Sequence, residues 1–289
     1  MNLMKLNQLL INGSADKALY KEYARICHPD LVEESQRDFA KQVFQRLQNF
    51  MEGSALCTLR GKQTYEVLAK LADGSVSDVY RCKNNFILKV ALSLAEAKFI
   101  RNEFEALMNL QKDAGVYGKL IPNPIELLKV DNREAAIYEV YPPLTGIAHW
   151  GKLSPRHIGW IAKRLFMILG HAHSRNVIHG AICPDHLLVN NESHGICLVG
   201  WSFAGKTGDR KKLPPLAYKG DCHSEANDVR MGAYALREAL DVSTYEGVRL
   251  DNYLKATLKT PAEAWDAHDE IDDLLRSMFG KPKFEELIF

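Results

Sequence analysis

No stretch of about 18 uncharged apolar residues occurs in this chain, so a membrane-crossing helix is not expected. The longest apolar candidate, IGWIAKRLFMILGHAH, is interrupted by Lys163 and Arg164. The first residues, MNLMKLNQLLINGSADK, lack the apolar core and small-residue cleavage site of an export signal. Six cysteines are present, but no two form a C-x-x-C pair. Without an export signal they are expected to stay reduced, which implies a cytoplasmic location. An excess of one charge is also missing: 37 Lys and Arg stand against 36 Asp and Glu, a formal charge of +1. No global field therefore draws the protein to nucleic acid or to a membrane surface, and neither is expected as a partner. Internal repeats and low-complexity segments are absent as well.

What remains is an ordinary globular composition. The 289 residues are 46% hydrophobic and 25% charged, enough chain to bury a sizeable core without staples. Residues 1–53 read as helical. In SADKALYKEYARI, Leu19, Tyr23 and Ile26 fall at helical spacing, with Ser14 or Asp16 placed to cap the start. Pro29 breaks the run by forcing His28 out of helical geometry. A second stripe then follows through Phe39, Val43, Phe44, Leu47 and Phe50. The expectation is an antiparallel helix pair. Residues 54–64 read as a linker or short edge segment. From Tyr65 the pattern changes to short β-rich runs with polar turns, one amphipathic helix (AEAKFIRNEFEALMNLQKDA) and a hairpin turning at DNRE. After residue 141 the chain is mostly helical to its end. The domain reading is therefore 1–53, linker 54–64, a β-rich unit 65–141 and a helical unit 142–289.

Several short stretches bear on chemistry. LADGSVSDVY holds Gly74, with Ala72 and Ser77 two residues before and three after it. FILKV holds Lys89, RNEFEAL holds Glu103, and AIYEVY holds Tyr138, Glu139 and Tyr141. VIHGAICPDHLLVN, LVGWSF and ANDVRMG follow in that order. Together, over residues from about 65 to 280, they resemble the motifs of a protein kinase. The resemblance implies an α+β, bilobal kinase-like fold. Gly74 would let a loop approach phosphate, with Val79 packing on adenine. Lys89 would hold phosphates and Glu103 would orient it, although a structural ion pair between strand and helix is the competing reading. Glu139 to Tyr141 would offer backbone groups to the adenine edge, behind Tyr138 as a bulky gatekeeper.

The same alignment exposes what is missing. The family's His-Arg-Asp becomes His179-Gly180-Ala181, its loop lysine becomes Cys183, and its metal-binding asparagine becomes His186. Its Asp-Phe-Gly becomes Gly200-Trp201-Ser202. Phosphoryl transfer needs a base and hard oxygen ligands for Mg²⁺, and all three usual carriers are gone. Asp228 matches the helix aspartate that hydrogen-bonds this loop, a role in the fold rather than in catalysis. The expected cofactor is ATP without Mg²⁺, held by Gly74, Lys89, Glu103, Glu139 and Tyr141, or none. A displaced carboxylate, Asp185, keeps open an alternative: a divergent phosphotransferase or nucleotidyltransferase.

At the N-terminus, His28-Pro29-Asp30 lies between two helices, with Lys17, Lys21 and Arg25 just upstream. This resembles a J-domain, the module that stimulates DnaK-type chaperones, and LNQLL is the candidate for that module's first helix. The whole chain is similar to a bacterial group that joins a J-like helix pair to a divergent kinase-like domain. Lys21, Arg25, His28, Pro29 and Asp30 are therefore the expected partner-binding residues, and a DnaK-type chaperone or another protein is the expected partner. The favoured function is a catalytically impaired pseudokinase acting as a protein-binding regulator or scaffold, and a chaperone-recruiting adaptor is the third reading. Cys183, His186, His194 and Cys197 are spaced like zinc ligands, but buried cysteine and a hairpin-capping histidine are the preferred reading. His171 and His173, on a helix end, read as structural, as do Trp160, Trp201 and Trp265. The RKK run at 210–212 reads as a solvated loop.

Overall fold

Leucines recurring at helical spacing build the N-terminal helix α1 (Leu3–Asn12), in which Leu3, Leu6 and Leu10 are buried. The Asn2 side chain caps it by accepting from the Lys5 N–H. The computed structural model describes residues 1–12, 15–52, 56–140, 145–190, 195–210 and 222–281. Asp16 caps the next turn, accepting from the Ala18 N–H, and leads into α2 (Tyr20–Cys27). Ser14, the other candidate cap, lies outside the described residues. The chain leaves α2 at His28, which is extended (φ −69°, ψ 124°) before Pro29, as the proline's ring requires. After two short 3-10 turns, α3 (Arg37–Glu52) lays Ala40, Val43 and Leu47 against α1 and α2. Phe39, Phe44 and Phe50 pack around this core, only partly buried. The expected helix pair is thus a three-helix cluster, completed by α1.

Within the segment read as linker, four residues form an edge strand, β1 (Cys57–Arg60), followed by β2 (Thr64–Asp73), β3 (Ser77–Cys82) and β4 (Phe86–Ala91). With β5 (Asn123–Val130) and β6 (Arg133–Glu139) they make a six-stranded sheet of order β1-β2-β3-β4-β6-β5. The hairpin turns use paired left-handed residues, Asn84-Asn85 and Asp131-Asn132, the geometry that matches strand twist. Alternate residues Tyr65, Val67, Cys82, Leu88, Val90, Ala135 and Ile137 form the core on one face. The opposite face presents Val79 beside Lys89 and Arg81 beside Ile87, because cross-strand partners share a face.

These helices and the six-stranded sheet form one compact unit, Met1–Ala97 with Ile125–Pro143; the other comprises Lys98–Pro124 and Leu144–Ile288. The helix α4 (Ala97–Gln111), read with the β-rich segment in the sequence, clusters with the second unit. There it joins α5 (Pro155–His173), α6 (Glu225–Ala239), α7 (Tyr245–Lys259) and α8 (Ala264–Phe279). A small sheet of β7 (Thr145–Gly146), β8 (Leu187–Val189) and β9 (Ile196–Leu198) completes it. Ser154, Ser224 and Thr244 cap α5, α6 and α7 with their hydroxyls. Two glycines of α5 let α8 approach: Gly159 meets Leu275, and Gly170 lies against the Trp265 ring. Trp201 is fully buried in this unit. Among the described residues no helix is long and apolar enough to cross a membrane.

Leu47 is 0% exposed at the centre of the helical cluster, whereas Leu31, just after the HPD tripeptide, is 67% exposed. Leu47→Ala is expected to cost about 2–5 kcal/mol and Leu31→Ala less than about 0.5 kcal/mol, compared by urea unfolding of the full chain.

Candidate functional site

The loop that carries the kinase resemblance is held by one buried carboxylate. Asp228, in the first turn of α6, is 0% exposed. Its Oδ2 accepts from the His179 N–H at 2.7 Å and its Oδ1 from the Gly180 N–H at 2.9 Å. His173 Nε2 donates to Oδ2 at 3.1 Å. Burial pushes this carboxyl up, but the bond and charge of His173, the His179 ring and the Gly180 N–H outweigh it and hold its pKa below the usual value. The predicted bond from Asp228 to the loop backbone is present. His173, read from sequence only as a structural histidine, is the third arm of the arrangement.

His179 is buried beneath this network. Its Nε2 faces the Val199 carbonyl at 3.0 Å, and its Nδ1 faces the Ala181 N–H at 3.2 Å. A carbonyl only accepts and an N–H only donates, so the ring is the neutral Nε2–H tautomer with both nitrogens satisfied. Protonation would turn Nδ1 into a donor facing a donor. Burial, the largest influence, lowers the His179 pKa to about 4 against the pull of Asp228. The ring also packs on Trp201, centroids 4.5 Å apart, and the Trp201 indole donates to the Leu198 carbonyl.

Three glycines beside this loop accommodate histidine rings. Gly180 is left-handed (φ +76°), and a Cβ there would lie 2.4 Å from the His223 ring; a Cβ at Gly205 would lie 2.6 Å from the same ring. At Gly200 (φ +86°) a Cβ would meet the His186 ring, 2.5 Å from Nε2. His186 Nδ1 donates to the Ala181 carbonyl at 2.7 Å, which anchors the ring in that place. The position expected to carry a metal carboxylate is thus a glycine, and the imidazole from the position expected to carry a metal amide lies in its side-chain volume. Asp185 sits on the exposed 3-10 turn Pro184–His186.

Glu103 lies on the inner face of α4, 1% exposed, and its Oε2 accepts from the Ser202 hydroxyl at 2.7 Å. The neighbouring Asn102 donates to the Ser202 and Ala204 carbonyls at 3.0 and 2.7 Å. Sequence reasoning missed Asn102, Ser202 and His223, because their roles rest on contacts with residues distant in sequence. Asn102, Ser202 and His223 also line a cavity of about 180 Å³ with Phe99, Lys206 and Arg210.

In the first unit, Lys89 is on β4, opposite Val79 and Ala136. Its Nζ lies 5.9 Å from the centroid of the buried Tyr138 ring. Glu139 ends β6 opposite Phe86. Gly74 closes its loop by donating to the Ser77 carbonyl at 3.0 Å, and a Cβ at this position would lie 2.6 Å from that oxygen. The glycine is therefore required by its own turn, whatever the loop covers. Lys70 spans the base of this loop, paired with Asp73 and, at 2.8 Å, with Asp78. Tyr141 lies outside the described residues.

In the helical cluster, His28 and Pro29 are half-buried and Asp30 is exposed, on the 3-10 turn Pro29–Leu31. The His28 ring caps that turn, accepting from the Asp30 N–H, and rests edge-on against Phe44. Lys21 and Arg25, four residues apart on α2, are both exposed. Lys17 instead donates to the Met51 carbonyl and lies over Phe50. His194 of the zinc-like spacing lies outside the described residues, and no metal-sized cluster of His, Cys, Asp and Glu occurs among those described. Of the RKK run only Arg210 is described. His171 donates to the Leu110 carbonyl and stacks on Tyr117.

The His179 geometry sets a pH dependence. A histidine with its folded pKa near 4 and an ordinary value of 6.5 binds fewer protons folded than unfolded between those limits. Stability from this group is full above about 6.5 and is lost as the pH falls toward 4, on the order of 3 kcal/mol in total. Urea midpoints are expected to fall between pH 7 and 4.5, with a flatter profile for His179→Gln.

No protein-family model matches the chain. Among curated proteins, calcium-dependent protein kinase 5 of Plasmodium berghei (strain Anka) is 27% identical over 157 residues, covering 50% of this chain and 27% of that protein. The Plasmodium falciparum (isolate 3D7) protein of the same name is 26% identical over 181 residues, covering 58% and 30%. A probable serine/threonine-protein kinase of Arabidopsis thaliana is 27% identical over 141 residues, covering 46% and 24%. The chain thus spans between 24% and 30% of the length of these curated relatives. Of solved structures, vaccinia related kinase 3 superposes with a TM-score of 0.57 at 15% identity, covering 77% of this chain and 90% of that one. The Cydia pomonella granulovirus kinase superposes at 0.55 and 16% identity, covering 72% and 92%. At these identities the likeness shows the fold: the chain has a mixed helix-and-sheet, protein-kinase-like fold.

Proposed function

We propose that this chain is a pseudokinase, a kinase-like body without phosphoryl transfer, whose J-like helical module binds a protein partner. One observation carries the reading: the His186 ring lies in the volume that a side chain at position 200 would need. A methyl group at 181, an imidazole at 186 and a glycine at 200 supply no hard oxygen for Mg²⁺. The residues present do not fit that ion, and no step of the function is routed through it. Restoring a carboxylate at 200 alone would drive it into His186, so the loss is built into the packing.

Nucleotide binding without metal rests on the sheet face that carries Val79 and Lys89 and on the Gly74 loop. The expected outcomes are no transfer from labelled ATP by the full chain, with or without Mg²⁺, and a rise in melting temperature with ATP that Mg²⁺ does not enhance. Lys89→Ala should abolish that rise. Mg²⁺-dependent transfer that persists in Asp185→Ala would overturn the pseudokinase reading, and transfer lost in Asp185→Ala would favour the displaced-carboxylate enzyme.

The partner surface is the exposed pair Lys21 and Arg25 with the His28-Pro29-Asp30 turn, and the partner is a DnaK-type chaperone. Because the His28 ring caps the turn, His28→Gln alters the presentation of the tripeptide while leaving the buried helical core intact. Stimulation of a DnaK-type ATPase by the full chain should fall at least about tenfold in this variant, a loss of about 1.4 kcal/mol. Equal stimulation by both proteins, or none by either, would leave the turn a structural element only.

A further inference from the structure

Two arginines in the first unit lie near each other, and among the described residues neither is paired with a carboxylate. Arg46, on α3, reaches β2: its Nε donates to the Lys70 carbonyl at 3.4 Å and its Nη2 to the Leu71 carbonyl at 2.7 Å, while Nη1 donates to Asn7 Oδ1 at 2.5 Å. Arg81, on β3, is the register partner of Ala69, next to Lys70. The Arg46 head group on the carbonyls of residues 70 and 71 and Arg81 opposite residue 69 are thus neighbours on β2, near enough for the Arg81 charge to act on Arg46. Arg81 is half-buried, its Nε is fully buried, and it donates to no group among the described residues.

All the partners of Arg46 are neutral. The acidic group beside Arg81 is the Cys82 thiol, which burial pushes up to about 12 and keeps uncharged near neutral pH. Burial lowers both arginine pKa values, and the Arg81 charge lowers that of Arg46 further. Arginine does not shed its proton in proteins, so the pair remains two like charges, both half-buried. Such an arrangement is costly unless an anion completes it. The free donors are two on Arg46 and all five on Arg81, in planar forks that match an oxyanion in bidentate fashion.

We propose that Arg46 and Arg81 form a binding site for a phosphate oxyanion, carried free or as the phosphoryl group of a nucleotide. Arg81 shares a sheet face with Val79 and Lys89, because Arg81 pairs with Ile87 and Val79 with Lys89. Two residues along a strand span about 7 Å, so one phosphorylated molecule can reach both cations. The site does not depend on Lys89 itself, and a failure of nucleotide binding there leaves it testable.

The test uses the full chain, with melting temperature and calorimetric titration read at ionic strength matched by chloride. The probes are inorganic phosphate, ATP and adenosine. Arg81 makes no bond that holds the fold, so Arg81→Met should fold and, in the absence of anion, melt higher than the natural protein. It should bind the anion at least about tenfold more weakly. Arg81→Lys, which keeps the charge but loses the fork, should bind with intermediate strength. A response to inorganic phosphate that survives Lys89→Ala assigns the free anion. A response to ATP alone, absent with adenosine and lost in Arg81→Met, assigns the nucleotide's phosphoryl group. Equal responses of the natural protein and Arg81→Met, or no response to either anion, would overturn the site.

Discussion

A buried carboxylate with no water to share its charge must be bonded on every side, and the second unit is arranged around that requirement. Asp228 takes the backbone N–H groups of His179 and Gly180 and the ring N–H of His173. These bonds draw the end of α5, the loop at 178–181 and the start of α6 to one point. The loop must turn through Gly180 in the left-handed region to offer both N–H groups, a conformation in which a side chain is strained. The geometry of this loop is therefore maintained by Asp228.

Beside this loop, histidines pack on glycines. His223 fills the space over Gly180 and Gly205, and His186 fills the space over Gly200. His179, neutral and bonded at both nitrogens, extends the same logic into the core. At Gly180, Gly200 and Gly205 a histidine ring stands where a side chain would have to go.

In the first unit the joining element is cationic. Arg46 ties the helical cluster to β2 by donating to the carbonyls of Lys70 and Leu71, the residues that lead into the Gly74 loop. A helix docked on strand carbonyls through a guanidinium gains directional bonds, but it places a charge where solvation is poor. The nearby Arg81 charge, which lowers the Arg46 pKa, adds to that cost.

Much of this was legible in the chain itself. The helices with regular apolar spacing, the hairpin at Asp131-Asn132 and the order of the kinase-like motifs all follow from local periodicity and turn chemistry. That alanine stands at 181, glycine at 200 and aspartate at 228 was readable residue by residue. The first helix was harder to see because LNQLL is short, and the edge strand β1 because its four residues are mostly exposed and carry no buried alternation. Local pattern specifies the set of elements and the residue types at each motif, since both depend on neighbours a few positions apart. Only the tertiary structure decided which ring fills which glycine, that His173 completes the Asp228 network, that Ser202 bonds Glu103, and that Arg46 meets Arg81. Those pairings join residues 14 to 99 positions apart, and they exist only after chain closure has brought distant segments into contact.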